Sequence, residues 1–179
     1  MISNLLDISV IESGQLQLNP KKSSIKKLAE EKIHLQQILA DKKNIILYAD
    51  LEDVPEFYFD ANRIGQVVDN LLSNAVKYSP PNKQVFVKLV SSEDSMTISV
   101  KDEGAGIPKD EQGRLFQHFQ KLSPRPTGGE SSSGLGLAIA QKIVEEHQGS
   151  IGVKSEPGEG ALFYFSLPTR NLGPGPFPK

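Results

Sequence analysis

With 179 residues, 37% of them hydrophobic and 23% charged, the sequence suits one ordinary globular domain with a real core and some extra tail. A formal net charge of −2 removes any global electrostatic case for nucleic acid, and no apolar run approaches the length of a bilayer span. The opening Met1-Ile2-Ser3-Asn4 lacks the basic start of a signal peptide, and the absence of cysteine excludes a disulfide framework, Cys-ligated zinc and a thiol nucleophile.

In chain order, residues 1–13 carry Ile2, Leu5, Leu6, Ile8 and Ile11 between polar residues, which reads as a helix end with an apolar face closed by Gly14. Such a face at the first residue suggests either the end of a longer helix or a short helix packed on the domain itself, and composition alone does not choose between them. Gln15-Leu16-Gln17-Leu18 alternates and predicts a strand running up to Pro20. Ser24 to about Lys42 is helical by period, with Ile25, Leu28, Leu35, Ile38 and Leu39 on one side and His34 among charged neighbours. Asn44 to Asp50 and Phe57-Tyr58-Phe59 read as strand pieces around a turn at Pro55.

The next helix is the strongest local signal. Asp60 is placed to cap it, and Ile64, Val67, Val68, Leu71, Leu72 and Ala75 follow the template of an amphipathic helix. Asn70, Asn74 and Lys77 stack along the border of that stripe. As a bare pattern this is a polar helix edge. A carboxamide oxygen is nevertheless a hard neutral ligand suited to Mg²⁺, and a lysine one turn on supplies charge for phosphate. Tyr78-Ser79-Pro80-Pro81-Asn82 stops the helix.

Val85–Val90 and Met96–Val100 predict a hairpin around Ser91-Ser92-Glu93-Asp94. Met96, Ile98 and Val100 share one face by the two-residue period, and Asp102 is the next member of that series. A carboxylate thus lands where a core side chain is called for, and burying it is costly unless it is hydrogen-bonded. The glycines of Asp102-Glu103-Gly104-Ala105-Gly106-Ile107-Pro108 let the backbone turn and allow close approach. Lys109 to Phe119 predicts a short helix with Phe116 and Phe119 on one face.

Leu122 to Ser133, with two prolines, two glycines and four serines, is long for an internal loop and is expected to be mobile. Gly134-Leu135-Gly136-Leu137 then opens a helix packed through Leu137, Ala140, Ile143 and Val144. A glycine-rich helix entry leaves free N–H groups and a positive dipole end, suited to phosphate oxygens. It is neither a P-loop nor a dinucleotide fingerprint. His147 falls in the last turn before Gly149, and Ser150–Lys154 with Ala161–Leu167 predicts a final hairpin. Residues 169–179 read as a flexible tail.

Four motifs in fixed order together resemble the ATP-binding catalytic domain of sensor histidine kinases, in the wider group with gyrase-type and heat-shock chaperone ATPases. Asn70-Leu71-Leu72-Ser73-Asn74-Ala75-Val76-Lys77-Tyr78 is similar to the family's N box. Asp102-Glu103-Gly104-Ala105-Gly106 resembles its G1 box, Phe116 and Phe119 its F box, and Gly134-Leu135-Gly136-Leu137 its G2 box. Leu5-Leu6-Asp7-Ile8 with Ile11-Glu12-Ser13-Gly14 also resembles the end of the dimerisation helix that precedes this domain in such kinases.

The resemblance implies an α/β two-layer sandwich, a mixed sheet covered on one face by helices, with ATP between the helices and a mobile lid. It divides the chain into residues 1–14 (dimerisation helix end), 15–168 (catalytic domain) and 169–179 (tail). Asp102 would accept from the adenine exocyclic amine, with Gly104 and Gly106 letting the base lie on the backbone and Ile107 nearby. Asn74 would ligate Mg²⁺, and Asn70 would hold phosphate or metal-bound water. Lys77 and Tyr78 would reach phosphate or ribose. Leu135 and Gly136 would place backbone N–H groups at the phosphates, Ser133, Gly134 and Leu137 would join the nucleotide-binding set, and Phe116 and Phe119 would pin the lid's base.

Partners implied are ATP, the kinase's own dimerisation domain and a response regulator, in the cytoplasm, with no nucleic acid and any membrane anchor upstream. Two departures stand out: Ser132 replaces a frequent glycine, and no His-Glu/Asp-x-x-x-Pro phosphoacceptor motif is present. The alternatives are a nucleotide-gated ATPase of the gyrase or chaperone type and a regulatory or anti-sigma-type binding module. Asn70 speaks against the first, because water-hydrolysing relatives carry a glutamate base there and an amide cannot take a proton from water.

Overall fold

The apolar stripe that begins at Ile64 becomes the spine of the molecule. The computed structural model describes residues 16–117, 125–128 and 134–170. In order, the elements are β1 (Lys21–Ser23), α1 (Ile25–Asp41), β2 (Ile46–Leu51), β3 (Phe57–Phe59), α2 (Ala61–Tyr78), β4 (Gln84–Ser91) and β5 (Ser95–Lys101). There follow α3 (Lys109–Gln112), α4 (Gly136–Glu146), β6 (Ser150–Ser155) and β7 (Ala161–Pro168). The main sheet runs β2-β4-β5-β7-β6, with β2 parallel to β4 and the other pairs antiparallel. β1 and β3 form a separate antiparallel pair.

Alternation along the strands makes the sheet one-sided. Val85, Val87 and Leu89 on β4, Met96, Ile98 and Val100 on β5, and Phe163, Phe165 and Leu167 on β7 are all buried. The residues between them are exposed or half-buried. Ile64, Val67, Val68, Leu71, Leu72 and Ala75 of α2 and Ala140, Ile143 and Val144 of α4 belong to the same core. This is the expected α/β sandwich, a mixed sheet with helices on one face. Asp60 caps α2, its Oδ1 accepting from Asn62 N and Arg63 N at 3.1 Å each.

Four sequence expectations are corrected. Residues 16–20 form no strand; Asn19 N donates to Asp60 Oδ2 at 2.9 Å, Pro20 has no N–H for a ladder, and pairing begins at Lys21 opposite Phe59. On α1 the inward line is Ile25, Ala29, Gln36 and Ala40, whereas Leu35, Ile38 and Leu39 are about half exposed. Gly65 of α2 lets the long side chains of α1 lie close, since a Cβ there would stand 3.1 Å from Lys32 Cε and 3.6 Å from Leu28 Cδ1. The helix predicted over 109–119 stops at Gln112, with Gly113 as its cap, and Phe116 lies in the turn that follows. Finally, Leu137 is only half-buried, and Ala138 and Ile139 take buried places on α4.

The predicted helix end at 1–14, the mobile loop over most of 122–133, His118, Phe119, Ser132, Ser133 and most of the tail lie outside the described residues.

Candidate nucleotide site

The period-two argument about Asp102 holds. It follows β5 directly and is only 4% exposed. Its backbone N donates to Ala161 O at 2.9 Å, and its Oδ1 accepts from Gly104 N at 2.8 Å and Ala161 N at 3.1 Å. Burial pushes the carboxyl above the usual carboxylate range, and the two backbone donors oppose that shift. Oδ2 has no protein partner among the described residues. One oxygen is therefore fixed by the fold, and the second is left for a donor in the cavity.

That cavity, of about 1050 Å³, is lined by Asp102, Gly104, Gly106 and Ile107 at one end. Asn70, Asn74, Lys77, Tyr78, Gly134, Gly136 and Leu137 line the other walls. Most of the residues named from the sequence are thus brought together, although the N and G2 motifs are more than fifty positions apart. Phe116 does not line it; it packs, half-buried, on the core. Leu135 is buried behind the wall, its carbonyl accepting from Ile139 N at 3.0 Å.

The edge of α2 is left in an unsatisfied state. Asn74 Nδ2 lies 3.5 Å from Asn70 Oδ1, a marginal bond, and Asn70 Nδ2 is buried with no partner. Asn74 Oδ1 and the Lys77 ammonium also lack protein partners among the described residues. Gly136 packs on this edge so tightly that a Cβ there would fall 2.3 Å from Asn70 Oδ1. Asn70 therefore sits directly under the opening turn of α4, whose first N–H groups no intrahelical carbonyl can reach. No trio of His, Cys, Asp or Glu among the described residues could hold a metal, so a cation here would depend on neutral oxygen donors such as Asn74.

The glycines of the Asp102 turn allow the turn and the close approach read in the sequence, and the groups that approach are the chain's own. A Cβ on Gly104 would meet Tyr78 O at 2.8 Å and Asp102 Oδ1 at 2.9 Å. One on Gly106, where φ is +71°, would meet Glu156 O at 2.0 Å. The chain's own packing demands both, before any base is considered.

Sequence reasoning missed three features. Lys43 Nζ donates to Val76 O at 2.7 Å, Lys77 O at 3.1 Å and Thr127 Oγ1 at 2.6 Å, capping the C-terminal end of α2. Thr127 in turn donates through N to Lys77 O at 3.0 Å and through Oγ1 to Ser79 O at 2.6 Å, which holds residues 125–128 beside the cavity. His147, read only as a helix-end residue, is 2% exposed; its Nε2 accepts from Asp60 N at 3.1 Å while Nδ1 lies 2.7 Å from Ile143 O. The tautomer that satisfies both bonds carries its proton on Nδ1, and burial pushes the imidazole below its ordinary value. This pin joins the end of α4 to the start of α2. No local sequence signal marks any of these, since each is a contact between distant segments.

Comparison with known proteins agrees with this geometry. Residues 59–171 match the family described as histidine kinase-, DNA gyrase B-, and HSP90-like ATPase. The circadian input-output histidine kinase CikA of Synechococcus elongatus is 37% identical over 96% of this chain and 23% of its own length. The adaptive-response sensory kinase SasA of a Synechocystis strain is 34% identical over 94% of this chain and 44% of its own. Full-length ShkA, solved in complex with AMPPNP, superposes with a TM-score of 0.83 at 26% identity, covering 98% of this chain and 36% of that one. The nucleotide-free catalytic domain of histidine kinase ThkA gives 0.73 at 26% identity, covering 84% of this chain and 95% of that one. The chain spans under half the length of these curated relatives.

Proposed function

Because the chain belongs to the histidine kinase-, DNA gyrase B- and HSP90-like ATPase family and is its ATP-binding domain, we propose that it holds Mg²⁺-ATP for transfer of the γ-phosphoryl group to a histidine on a dimerisation domain. A response regulator then takes the group onward. The observation that carries this reading is the half-engaged Asp102, one oxygen bound by the fold and one left over, lining the same cavity as Asn70, Asn74 and Lys77.

Asp102 Oδ2 accepts from the adenine exocyclic amine, the one hydrogen-bond donor on the edge of that base. Ile107 and Leu137 supply apolar surface to the ring. Lys77 neutralises phosphate charge, and the first N–H groups of α4 receive phosphate oxygens. Asn70, whose Nδ2 is buried without a partner, gains one from a phosphate oxygen or metal-bound water. Asn74 would hold Mg²⁺ through Oδ1, and the ion would neutralise phosphate charge. The chain's part is positioning and charge neutralisation, and Asn70, an amide, cannot accept the proton of an attacking water.

None of His34, His118 and His147 is followed by the acid-x-x-x-Pro of an acceptor motif. His147 is buried with both nitrogens engaged, and His34 stands exposed on α1 without an adjoining acid-x-x-x-Pro. The direct experiment mixes this chain with a separately made dimerisation domain and labelled ATP. Acid-labile phosphohistidine on the added domain is expected. Steady ATP hydrolysis by the chain alone, with no transfer, would favour the gyrase- or chaperone-type reading instead.

A further inference from the structure

The turn from Asp102 to Pro108 contains no regular secondary structure, and what gives it shape is the β6–β7 hairpin. Ala161 binds its first residue twice, through Asp102 N to Ala161 O at 2.9 Å and Ala161 N to Asp102 Oδ1 at 3.1 Å. Gly158 N donates to Ala105 O at 2.7 Å in the middle. At the far end Ser155 Oγ accepts from Ile107 N at 2.9 Å and donates to Gly160 O at 2.6 Å. Gln112 Nε2 closes the same corner, donating to Ile107 O at 2.9 Å and Ser155 O at 2.8 Å.

Ser155 differs from the backbone groups in this set. Its hydroxyl uses donor and acceptor capacity at once, and it joins the Ile107 end of the turn to the carbonyl that precedes Ala161, the residue gripping Asp102. A displacement of Ile107 is thereby passed to the residue that orients the carboxylate. From this geometry we infer that Ser155, supported by Gln112, is a positioning residue for adenine recognition: it sets where Ile107 and Asp102 stand before any nucleotide arrives. It touches no part of the ligand itself. The inference rests on the ATP-binding reading, and it adds two residues from outside the four motifs.

The test compares Mg²⁺-ATP with Mg²⁺-tripolyphosphate by calorimetry, since only the first has a base. Ser155→Ala should weaken ATP about tenfold, the scale of one lost hydrogen bond to the base, and leave tripolyphosphate unchanged. Ser155→Thr keeps the hydroxyl and should retain the preference for ATP. Gln112→Leu, on the outer side of the corner, should lower the preference roughly threefold. It reads the same ratio if Ser155→Ala does not fold. Amide exchange at Ile107 should quicken in Ser155→Ala. Equal weakening of both ligands, or an unchanged ratio in a folded Ser155→Ala or Gln112→Leu protein, overturns the inference while leaving the ATP reading intact. A wild-type chain with no preference for ATP over tripolyphosphate overturns the adenine reading, and this inference with it.

Discussion

The two ends of the cavity are built to different degrees. Around Asp102 the protein fixes the carboxylate through one oxygen, with backbone donors on Oδ1, the β6–β7 loop clamped beneath and glycines where a Cβ would collide with backbone, and leaves Oδ2 open. Around Asn70 an amide nitrogen is buried and unpartnered, Asn74 offers an oxygen with no protein partner, and Lys77 has no counter-ion among the described residues. An end whose backbone is clamped and which leaves one acceptor open can select a rigid, neutral base by shape and that single acceptor. An end that leaves polar groups unsatisfied carries a standing cost that a charged ligand removes on binding. The division suits a protein that must recognise one part of its ligand and hand on another.

The largest effect should separate two glycines. Gly106→Ala combines a left-handed backbone with a Cβ 2.0 Å from the Glu156 carbonyl, so a loss of about 3 kcal/mol or more in urea denaturation is expected, with ATP binding lost as well. Gly136→Ala meets the movable end of the Asn70 side chain at 2.3 Å. It should cost under about 1 kcal/mol, helped by alanine's preference for helix, yet weaken ATP by displacing the Asn70 amide. Equal destabilisation by the two would contradict the contrast between the ends.

Next in size is Asp102→Asn. The amide oxygen still serves Gly104 and Ala161, but an NH₂ replaces Oδ2 and faces the adenine amine. ATP affinity should fall by about 2–3 kcal/mol, read by calorimetry, with little change in melting temperature. Acidification should mimic it partially. Because burial raises this carboxyl, it takes up a proton at higher pH than an ordinary aspartate, and affinity should decline early as pH falls. The same shift has the opposite sign for stability: the folded chain holds this proton longer than the unfolded one, so ionisation with rising pH costs stability.

Asn74→Ala should be milder, about 1–2 kcal/mol, and confined to the phosphate end. Its signature is the loss of Mg²⁺ dependence in nucleotide titrations, and an unchanged metal titration would remove the ligand role. Smallest and most remote is His147, which pins α4 to α2 away from both ends. Its native form is neutral, so the unfolded chain binds more protons once pH falls below about 6.5. Stability should drop on acidification through that range, by roughly 1.4 kcal/mol for each unit that burial depresses the imidazole. Asp60 and Glu146 nearby act against the depression without reversing it. His147→Gln should flatten this slope, and a slope that persists would assign it to other groups.

Much of this was legible in the chain because it depends on local periodicity. The α2 stripe, the Asp60 cap and the alternation that buries Asp102 each follow from side-chain geometry over a few residues. The reading of α1 failed because its inward line includes the polar Gln36 and the small Ala29 and Ala40, and periodicity weighs apolarity alone. The helix over 109–119 was overextended because Phe116 packs equally well from a turn.

Residue types and their spacing were sufficient to name the elements, the direction of their buried faces and the chemistry of the site, since these are short-range properties. Long-range pairing supplied the rest: Asn70 beneath Gly136, Lys43 on the carbonyls of Val76 and Lys77, His147 behind Asp60, and Ser155 under Ile107. A hydrogen bond between residues roughly thirty to ninety positions apart leaves no periodic trace, because its donor and acceptor meet only once the sheet has set their separation.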